Sequence, residues 1–254
     1  MIEMTNNNDH WIQRYHPAPD AEARLACFPY AGGSASFYFP TSQALSPSVE
    51  VLAIQYPGRQ DRHAEPALTN IEALADGIAD ALNKWTDRPL AFFGHSMGSL
   101  VAYEVARRLQ RDGVTLSALF ASGGRAPHLW RSRGMHKRPD SALIDELREL
   151  GGTESSALDN EEVLQMVLPT LRHDYQAIET YRYDPSPRLT CPILALIGDR
   201  DPRVSVNDVR GWDEHTSAGL DVRVLPGGHF YLVNQQTAIL DIIGEHIQFP
   251  TGVE

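Results

Sequence analysis

The fold of this chain is decided by residues 90–98, which read Leu90-Ala91-Phe92-Phe93-Gly94-His95-Ser96-Met97-Gly98. The apolar run at their start predicts a buried strand, and a helical pattern begins at Met97. The turn between them fits G-x-S-x-G, in which small residues two positions on either side of the serine relieve a crowded backbone. The stretch therefore predicts a nucleophilic serine, Ser96, at the carboxyl end of a strand; the alternative is a glycine-rich turn with an idle serine.

Short apolar runs alternate with amphipathic helical segments along most of the chain. The other predicted strands are Arg24–Phe28, Val49–Gln55, Ala118–Ser122, Ile193–Ile197 and Asp221–Leu225. The predicted helices between and after them are Ile71–Trp85, Met97–Gln110 and Asn234–Ile247. Because strands that are apolar throughout are covered on both faces, the pattern predicts an α/β fold with a mostly parallel central sheet and helices on both faces.

The region between Ser122 and Ile193 contains no convincing strand. Asp140–Leu150 and Asp159–Tyr183 have helical patterns, with Pro169 as a predicted kink or break in the second. We expect a polar N-terminal extension over residues 1–23 and one domain over 24–254, which carries a helical lid insertion at about 127–185. The alternative is that these helices only enlarge the core.

Composition excludes several classes of protein. The 254 residues carry 22 Lys and Arg against 33 Asp and Glu, a formal net charge of −11, which disfavours a nucleic-acid binder. Cys27 and Cys191 are too few for a disulfide framework, and both are expected to be buried thiols. No stretch approaches the length of apolar chain that spans a bilayer, and the N-terminus lacks the apolar core of a signal peptide. A cytoplasmic protein with no membrane partner is expected.

A serine nucleophile needs a base within hydrogen-bond reach, and the chain offers ten histidines. His229 is the preferred base because it directly follows the last predicted strand in a loop that two glycines make flexible. His95 adjoins the serine, so its side chain should leave the turn in another direction. His63, after a loop at another strand end, is the alternative.

The base in turn needs a carboxylate to hold its tautomer. Asp199 and Asp201 both follow the predicted strand Ile193–Ile197. Asp201 lies deeper in a loop that Pro202 stiffens and is the predicted acid, whereas Asp199 is expected to brace the turn. The order Ser96, Asp201, His229 is that of an α/β-hydrolase.

An oxyanion hole requires two backbone N–H donors. Met97, directly after the serine, should supply one, and Ala31 in the glycine-containing loop 29–34 should supply the other. A glycine-rich loop could instead cradle a phosphate, but the sequence has none of the established phosphate-loop patterns. It also has no H-E-x-x-H, C-x-x-C or EF-hand pattern, so we expect no cofactor and no metal.

Several segments together resemble the type II thioesterases that accompany polyketide synthases and nonribosomal peptide synthetases. They are Cys27–Ser34, Tyr56–Arg59, Phe93–Gly98, Leu168–Asp174 and Pro226–Phe230. The resemblance runs from about Leu25 to Ile243. It implies a freestanding hydrolase that removes stalled or aberrant acyl groups from the phosphopantetheine arm of an acyl or peptidyl carrier protein through Ser96, His229 and Asp201. The alternatives are a carboxylesterase or acyltransferase and a non-catalytic binding protein on the same fold. A chain-terminating cyclase domain is less favoured, because such domains are generally part of a synthase chain.

A basic segment adjoins the predicted insertion. Arg125, Arg131, Arg133 and Lys137 lie within fourteen residues that contain no acid, in a chain that is acidic overall. We expect this segment to attract the phosphate of the phosphopantetheine arm or an acidic carrier surface. The alternative is a solvated basic loop.

Overall fold

The computed structural model describes residues 9–151, 160–185 and 187–247. They form a seven-stranded sheet in the order β1-β3-β2-β4-β5-β6-β7. The strands are β1 (Ile12–Gln13), β2 (Ala23–Phe28), β3 (Val49–Ile54), β4 (Leu90–His95), β5 (Leu119–Ser122), β6 (Ile193–Gly198) and β7 (Leu220–Leu225). All neighbouring pairs are parallel except β1 with β3. The six predicted strands are therefore present with bounds that differ by one or two residues.

Eight α-helices surround the sheet in the described residues. They are α1 (Phe39–Leu45), α2 (Ile71–Leu82), α3 (Met97–Arg111), α4 (Asp140–Leu150), α5 (Glu161–Thr180), α6 (Val206–Arg210), α7 (Tyr231–Asn234) and α8 (Gln236–His246). The predicted C-terminal helix, Asn234–Ile247, corresponds to α8. Three short helices, α1, α6 and α7, were not predicted, and α5 runs through Pro169 without ending there.

The central strands bury both of their faces, as their apolar sequences predict. Phe28 and Phe92 pack into the core on one face, and their chain neighbours Cys27 and Phe93 pack into the core on the other. Cys27 and Cys191 are buried free thiols, as predicted, and burial raises the pKa of the Cys191 thiol to about 11. The predicted α/β architecture follows from this two-sided burial.

In its described residues, the segment between β5 and β6 consists of helices joined by irregular loops. It contains α4 and α5 and no named strand. It also has a small core of its own, in which Met135, Leu143 and Leu147 meet Leu168 and Leu171. The insertion is thus a packed unit rather than a loose loop.

The N-terminal residues that carry no family signal contribute to the sheet. Gln13 and Ile12 of β1 pair with Ala53 and Ile54 of β3, and Trp11 is buried against α2. The proposed boundary at residue 24 stays a prediction. No helix in the described parts of the chain is long and apolar enough to cross a membrane.

Candidate active site

Ser96 lies on a sharp turn between β4 and α3. Its φ is +53°, a left-handed conformation that side chains rarely adopt. A Cβ atom on Gly94 would lie 2.2 Å from the Gly98 carbonyl oxygen, and one on Gly98 would lie 2.1 Å from the Phe28 carbonyl oxygen. Only glycine fits at both positions, which is the steric reason for the small residues that flank the serine. Met97 is the first residue of α3, so its N–H has no acceptor within the helix.

Asp201 and His229 form a direct pair at the carboxyl ends of β6 and β7. His229 Nδ1 lies 2.7 Å from Asp201 Oδ2, and both side chains are almost wholly buried. The other oxygen of Asp201 accepts hydrogen bonds from the backbone N–H groups of Arg203 and Val204, at 2.8 and 3.0 Å. A carboxylate held in this way orients the imidazole with Nδ1 as the donor, which leaves Nε2 to accept a proton.

Asp199 has a different role from Asp201. Its Oδ1 accepts a hydrogen bond of 2.8 Å from the backbone N–H of Gly227, in the loop that carries His229. This contact braces the turn, as the sequence predicts. Gly198 packs against the same loop so closely that a Cβ there would lie 2.3 Å from the Gly228 carbonyl oxygen.

His95 is a buried neighbour of His229 that sequence reasoning set aside. Its Nδ1 lies 2.9 Å from Ser122 Oγ, which in turn lies 2.6 Å from the Tyr231 hydroxyl. The two imidazole rings are 5.0 Å apart between centroids. Burial, with the nearby His229, holds the pKa of His95 well below its usual value, so this ring stays neutral. No sequence signal identified the contact, because it depends on how the ends of β4, β5 and β7 meet. The alternative base that the sequence offered, His63, is exposed and bonds the Gln60 carbonyl oxygen.

The loop after β2 is held by buried side chains. The Tyr56 hydroxyl donates to the Pro29 carbonyl oxygen at 3.1 Å, and the Gly32 N–H donates to Asp174 Oδ2 at 2.7 Å. Gly32 has a φ of +78°, which favours glycine. Ala31 lies between these two anchored residues.

Ser96, His229 and Ala31 all line one cavity of about 110 Å³. Its sheet wall, formed by residues at the strand ends, consists of Ser96, Gly123, His229 and Phe230. Its insertion wall, formed by α4 and α5, consists of Glu146, Leu147, Leu150, Leu171, Tyr175, Ile178 and Glu179. The helical insertion therefore covers the strand ends that carry the predicted catalytic residues.

The basic segment is divided between the cavity and the surface. Arg125, Arg131 and Arg133 line the cavity, whereas Lys137 is exposed and does not. Arg133 Nη1 donates to Glu146 Oε1 at 2.8 Å, and Arg125 donates to the Arg203 carbonyl oxygen. Only part of the segment's charge is thus available to a ligand.

Two buried carboxylates of the insertion wall accept several hydrogen bonds each. Glu146 binds Arg203 as well as Arg133, and Glu179 accepts the backbone N–H groups of Arg133, Met135 and His136. Burial would raise the pKa of both carboxyls, but the hydrogen bonds from these partners outweigh it and hold the pKa values below the usual range. These contacts fasten the basic segment onto α4 and α5.

Within residues 9–151, 160–185 and 187–247, no group of three or more histidine, cysteine, aspartate or glutamate side chains is arranged to hold a metal ion.

Comparison with known proteins identifies the family. A model described as a thioesterase domain matches residues 23–247. The chain belongs to the thioesterase domain family. Thioesterase PikA5 of Streptomyces venezuelae is 50% identical over 244 residues, which are 95% of this chain and 87% of the relative.

Solved structures of thioesterases agree with this assignment. The type II thioesterase BorB from the borrelidin biosynthetic cluster superposes with a TM-score of 0.89 and 47% identity, over 96% of this chain and 100% of that one. RedJ, a thioesterase from the prodiginine pathway of Streptomyces coelicolor, gives a TM-score of 0.85 and 38% identity, over 91% and 95%. The predicted α/β-hydrolase fold and the resemblance to type II thioesterases are confirmed.

Proposed function

We propose that the protein hydrolyses acyl thioesters on the phosphopantetheine arm of acyl or peptidyl carrier proteins, and so removes stalled or aberrant acyl groups in polyketide or nonribosomal peptide biosynthesis. The observation that carries the proposal is the 2.7 Å contact between His229 and Asp201, because it orients the imidazole beside the cavity that Ser96 also lines. The names of related type II thioesterases, one from the borrelidin biosynthetic cluster and one from the yersiniabactin NRPS/PKS pathway, support the class of pathway.

In the first half-reaction, Ser96 Oγ forms a bond to the thioester carbonyl carbon while His229 Nε2 takes the hydroxyl proton. The N–H groups of Ala31 and Met97 bind the oxyanion. The carboxylate of Asp201 stabilises the imidazolium. The carbon–sulfur bond then breaks, and the pantetheine sulfur leaves as a thiol with the proton that His229 returns.

In the second half-reaction, a water molecule adds to the acyl-enzyme carbonyl carbon and gives a proton to His229. Collapse of this intermediate breaks the bond to Ser96 Oγ, which takes the proton back, and the carboxylic acid is released. The enzyme ends in its starting state, and the carrier arm has a free thiol.

The basic segment receives the anionic part of the substrate. Arg131 is exposed at the cavity and makes no ion pair with another described residue, so its guanidinium is open to the phosphate of the arm. Lys137 is exposed outside the cavity, where it would contact an acidic carrier surface instead. Arg133 borders the same mouth but is partly neutralised by Glu146, whereas Arg125 donates to the uncharged Arg203 carbonyl oxygen.

A hydrolysis panel of acyl groups loaded on a carrier protein tests the function. Ser96→Ala should abolish turnover of every acyl group, and Asp201→Asn should lower kcat by about 10⁴-fold because the imidazole loses its tautomer. Asp199→Asn is the matched control, since it changes the neighbouring carboxylate in the same loop and should keep most of the activity.

Three outcomes would contradict the proposal. Equal kcat/KM for oxygen esters and matched thioesters would favour a carboxylesterase, and transfer of the acyl group to an acceptor other than water would favour an acyltransferase. A Ser96-directed fluorophosphonate that fails to label the protein would favour a non-catalytic binding protein.

A further inference from the structure

A buried ion pair joins the helical insertion to the loop that carries Ala31. Asp174 of α5 is fully buried and Arg59 is 7% exposed. Arg59 Nη2 lies 2.7 Å from Asp174 Oδ1, and Arg59 Nη1 lies 3.0 Å from Asp174 Oδ2. The contact is bidentate, so it fixes the relative orientation of the guanidinium and the carboxylate as well as their distance.

Both members of this pair also hold the backbone of the Ala31 loop. Asp174 Oδ2 accepts the Gly32 N–H at 2.7 Å, and Arg59 Nη1 donates to the Gly33 carbonyl oxygen at 2.7 Å. Leu171, one turn earlier on α5, packs on the same loop, since a Cβ on Gly32 would lie 3.3 Å from Leu171 Cδ1. The two residues that directly follow Ala31 are thus fixed by α5 and by Arg59.

Arg59 is itself held in place. Its guanidinium carbon lies 5.0 Å from the centroid of the Tyr56 ring, and its carbonyl oxygen accepts a hydrogen bond of 3.1 Å from Gln55 Nε2. Tyr56 also bonds Pro29 at the start of the loop. The loop is therefore clamped on both sides of Ala31 by groups that converge on one guanidinium.

A buried ion pair is weak evidence for stability, because desolvation of the two charges offsets their attraction. The contacts of Arg59 and Asp174 with Gly32 and Gly33 indicate another use. We propose that Arg59 and Asp174 are positioning residues that place the Ala31 N–H in the oxyanion hole, so that the hole is complete only when the insertion is seated. This inference rests on the proposed function, in which Ala31 is an oxyanion donor.

The test separates transition-state binding from substrate binding. Asp174→Asn should lower kcat for a small acyl thioester about 10- to 100-fold, less than complete loss of an oxyanion donor, with KM nearly unchanged. An alkyl trifluoromethyl ketone, whose hemiketal oxyanion occupies the hole, should lose affinity by the same factor. A role in folding alone would move neither the kcat-to-KM split nor the inhibitor affinity of the folded protein.

The matched control is the buried pair of Arg24 and Glu50. Both are almost fully buried, and they lie near the amino ends of β2 and β3, at the sheet edge opposite the site. Glu50→Gln should lower the melting temperature but leave kcat and inhibitor affinity unchanged.

Asp174→Asn leaves Arg59 buried without its counter-charge, which lowers the stability of the fold, so a second variant is required. The double substitution Arg59→Met with Asp174→Asn removes both charges and keeps an acceptor for the Gly32 N–H. It should fold with a higher melting temperature than Asp174→Asn and still show the reduced kcat, because the Gly33 contact is lost.

The outcomes distinguish this inference from the proposed function. Should Ser96→Ala retain turnover, the proposed function fails whatever Asp174 does. Should Ser96→Ala be inactive while Asp174→Asn behaves like Glu50→Gln, or while the double variant recovers wild-type kcat, only the positioning role is overturned.

Discussion

The two walls of the cavity are built by different forces. The sheet wall depends on close backbone packing: glycines at 94, 98 and 198 let strand ends and loops approach to distances that any side chain would block. The insertion wall depends on charge. There Glu146 and Glu179 collect hydrogen bonds from arginines and backbone N–H groups, and the apolar core beneath them is small.

This difference implies different sensitivities. Steric packing between backbones does not depend on salt or pH, so the turn that carries Ser96 keeps its geometry as conditions change. Ion pairs near a surface weaken in salt and are lost when a carboxylate is protonated. The insertion wall is therefore the part of the cavity that changes in salt or pH would loosen.

The largest expected loss of stability and activity follows from the addition of a methyl group at Gly98, beside the sheet wall. In Gly98→Ala, the new Cβ would lie 2.1 Å from the Phe28 carbonyl oxygen, a rigid backbone atom. We expect a loss of free energy of unfolding at or above the usual overpacking cost of about 1–3 kcal/mol, together with loss of activity. Urea unfolding followed by circular dichroism measures the first.

Gly244→Ala is the control for this variant. Gly244 lies within α8 and has no neighbour within 4 Å of its would-be Cβ. The free energy of unfolding of Gly244→Ala should rise by about 0.5–1 kcal/mol, because alanine has a higher helix propensity than glycine. A Gly98→Ala protein that matched Gly244→Ala in stability would show that the sheet wall is not packed as described.

The sequence predicted the sheet wall well and the insertion wall poorly, for a physical reason. Ser96, Asp201 and His229 each follow an apolar strand, and parallel strands bring their carboxyl ends to one edge, so local patterns imply a shared location. The insertion wall is set by contacts such as Arg203 with Glu146, which join segments far apart in the chain. No local periodicity encodes such a pair.

The one strand of the described residues that the sequence did not predict has the same explanation. β1 is only two residues long and exists because Ile12 and Gln13 pair with β3. The His95 contact with His229 likewise depends on the assembled strand ends. The clamp formed by Arg59 and Asp174 lay within two segments that carry the family resemblance, but their contact could not be read from either segment.

A smaller loss of stability is expected for a substitution on the insertion wall. Glu146→Gln removes the charge that Arg133 and Arg203 share and should cost about 1–3 kcal/mol near pH 7. Since the folded-state pKa of Glu146 is lowered, its contribution is present above the unfolded pKa of about 4.3 and is lost as pH falls through the folded value. The difference in unfolding free energy between wild type and variant should therefore shrink in acid.

Urea titrations of both proteins at neutral pH and near pH 3 measure this difference. Glu162→Gln is the control, because Glu162 is exposed on α5 and its loss should change stability little at either pH. A Glu146 difference that stayed constant across this range would mean that charge does not hold the insertion wall.

The smallest effect is expected at the mouth of the cavity, where Arg131 is exposed. Arg131→Glu should raise KM for an acyl-carrier substrate by up to about fivefold, because one exposed ion pair contributes about that much to binding. The increase in KM should be smaller in high salt, which screens the charges. KM for a small thioester without a phosphate should not change. Lys137→Glu, outside the cavity, should act only on the carrier-bound substrate and not on free acyl-phosphopantetheine.

The variants Arg131→Glu and Lys137→Glu show whether the basic segment binds the phosphate of the phosphopantetheine arm or an acidic surface of the carrier protein. Arg111→Glu on α3 makes the same charge change on an exposed residue away from the cavity and corrects for altered net charge. If Arg131→Glu raised KM equally for the phosphate-free thioester, the residue would shape the cavity and not bind the arm. If all three variants behaved alike, the segment would be a solvated basic loop, and substrate recognition would depend on the leucine and isoleucine side chains of the insertion wall.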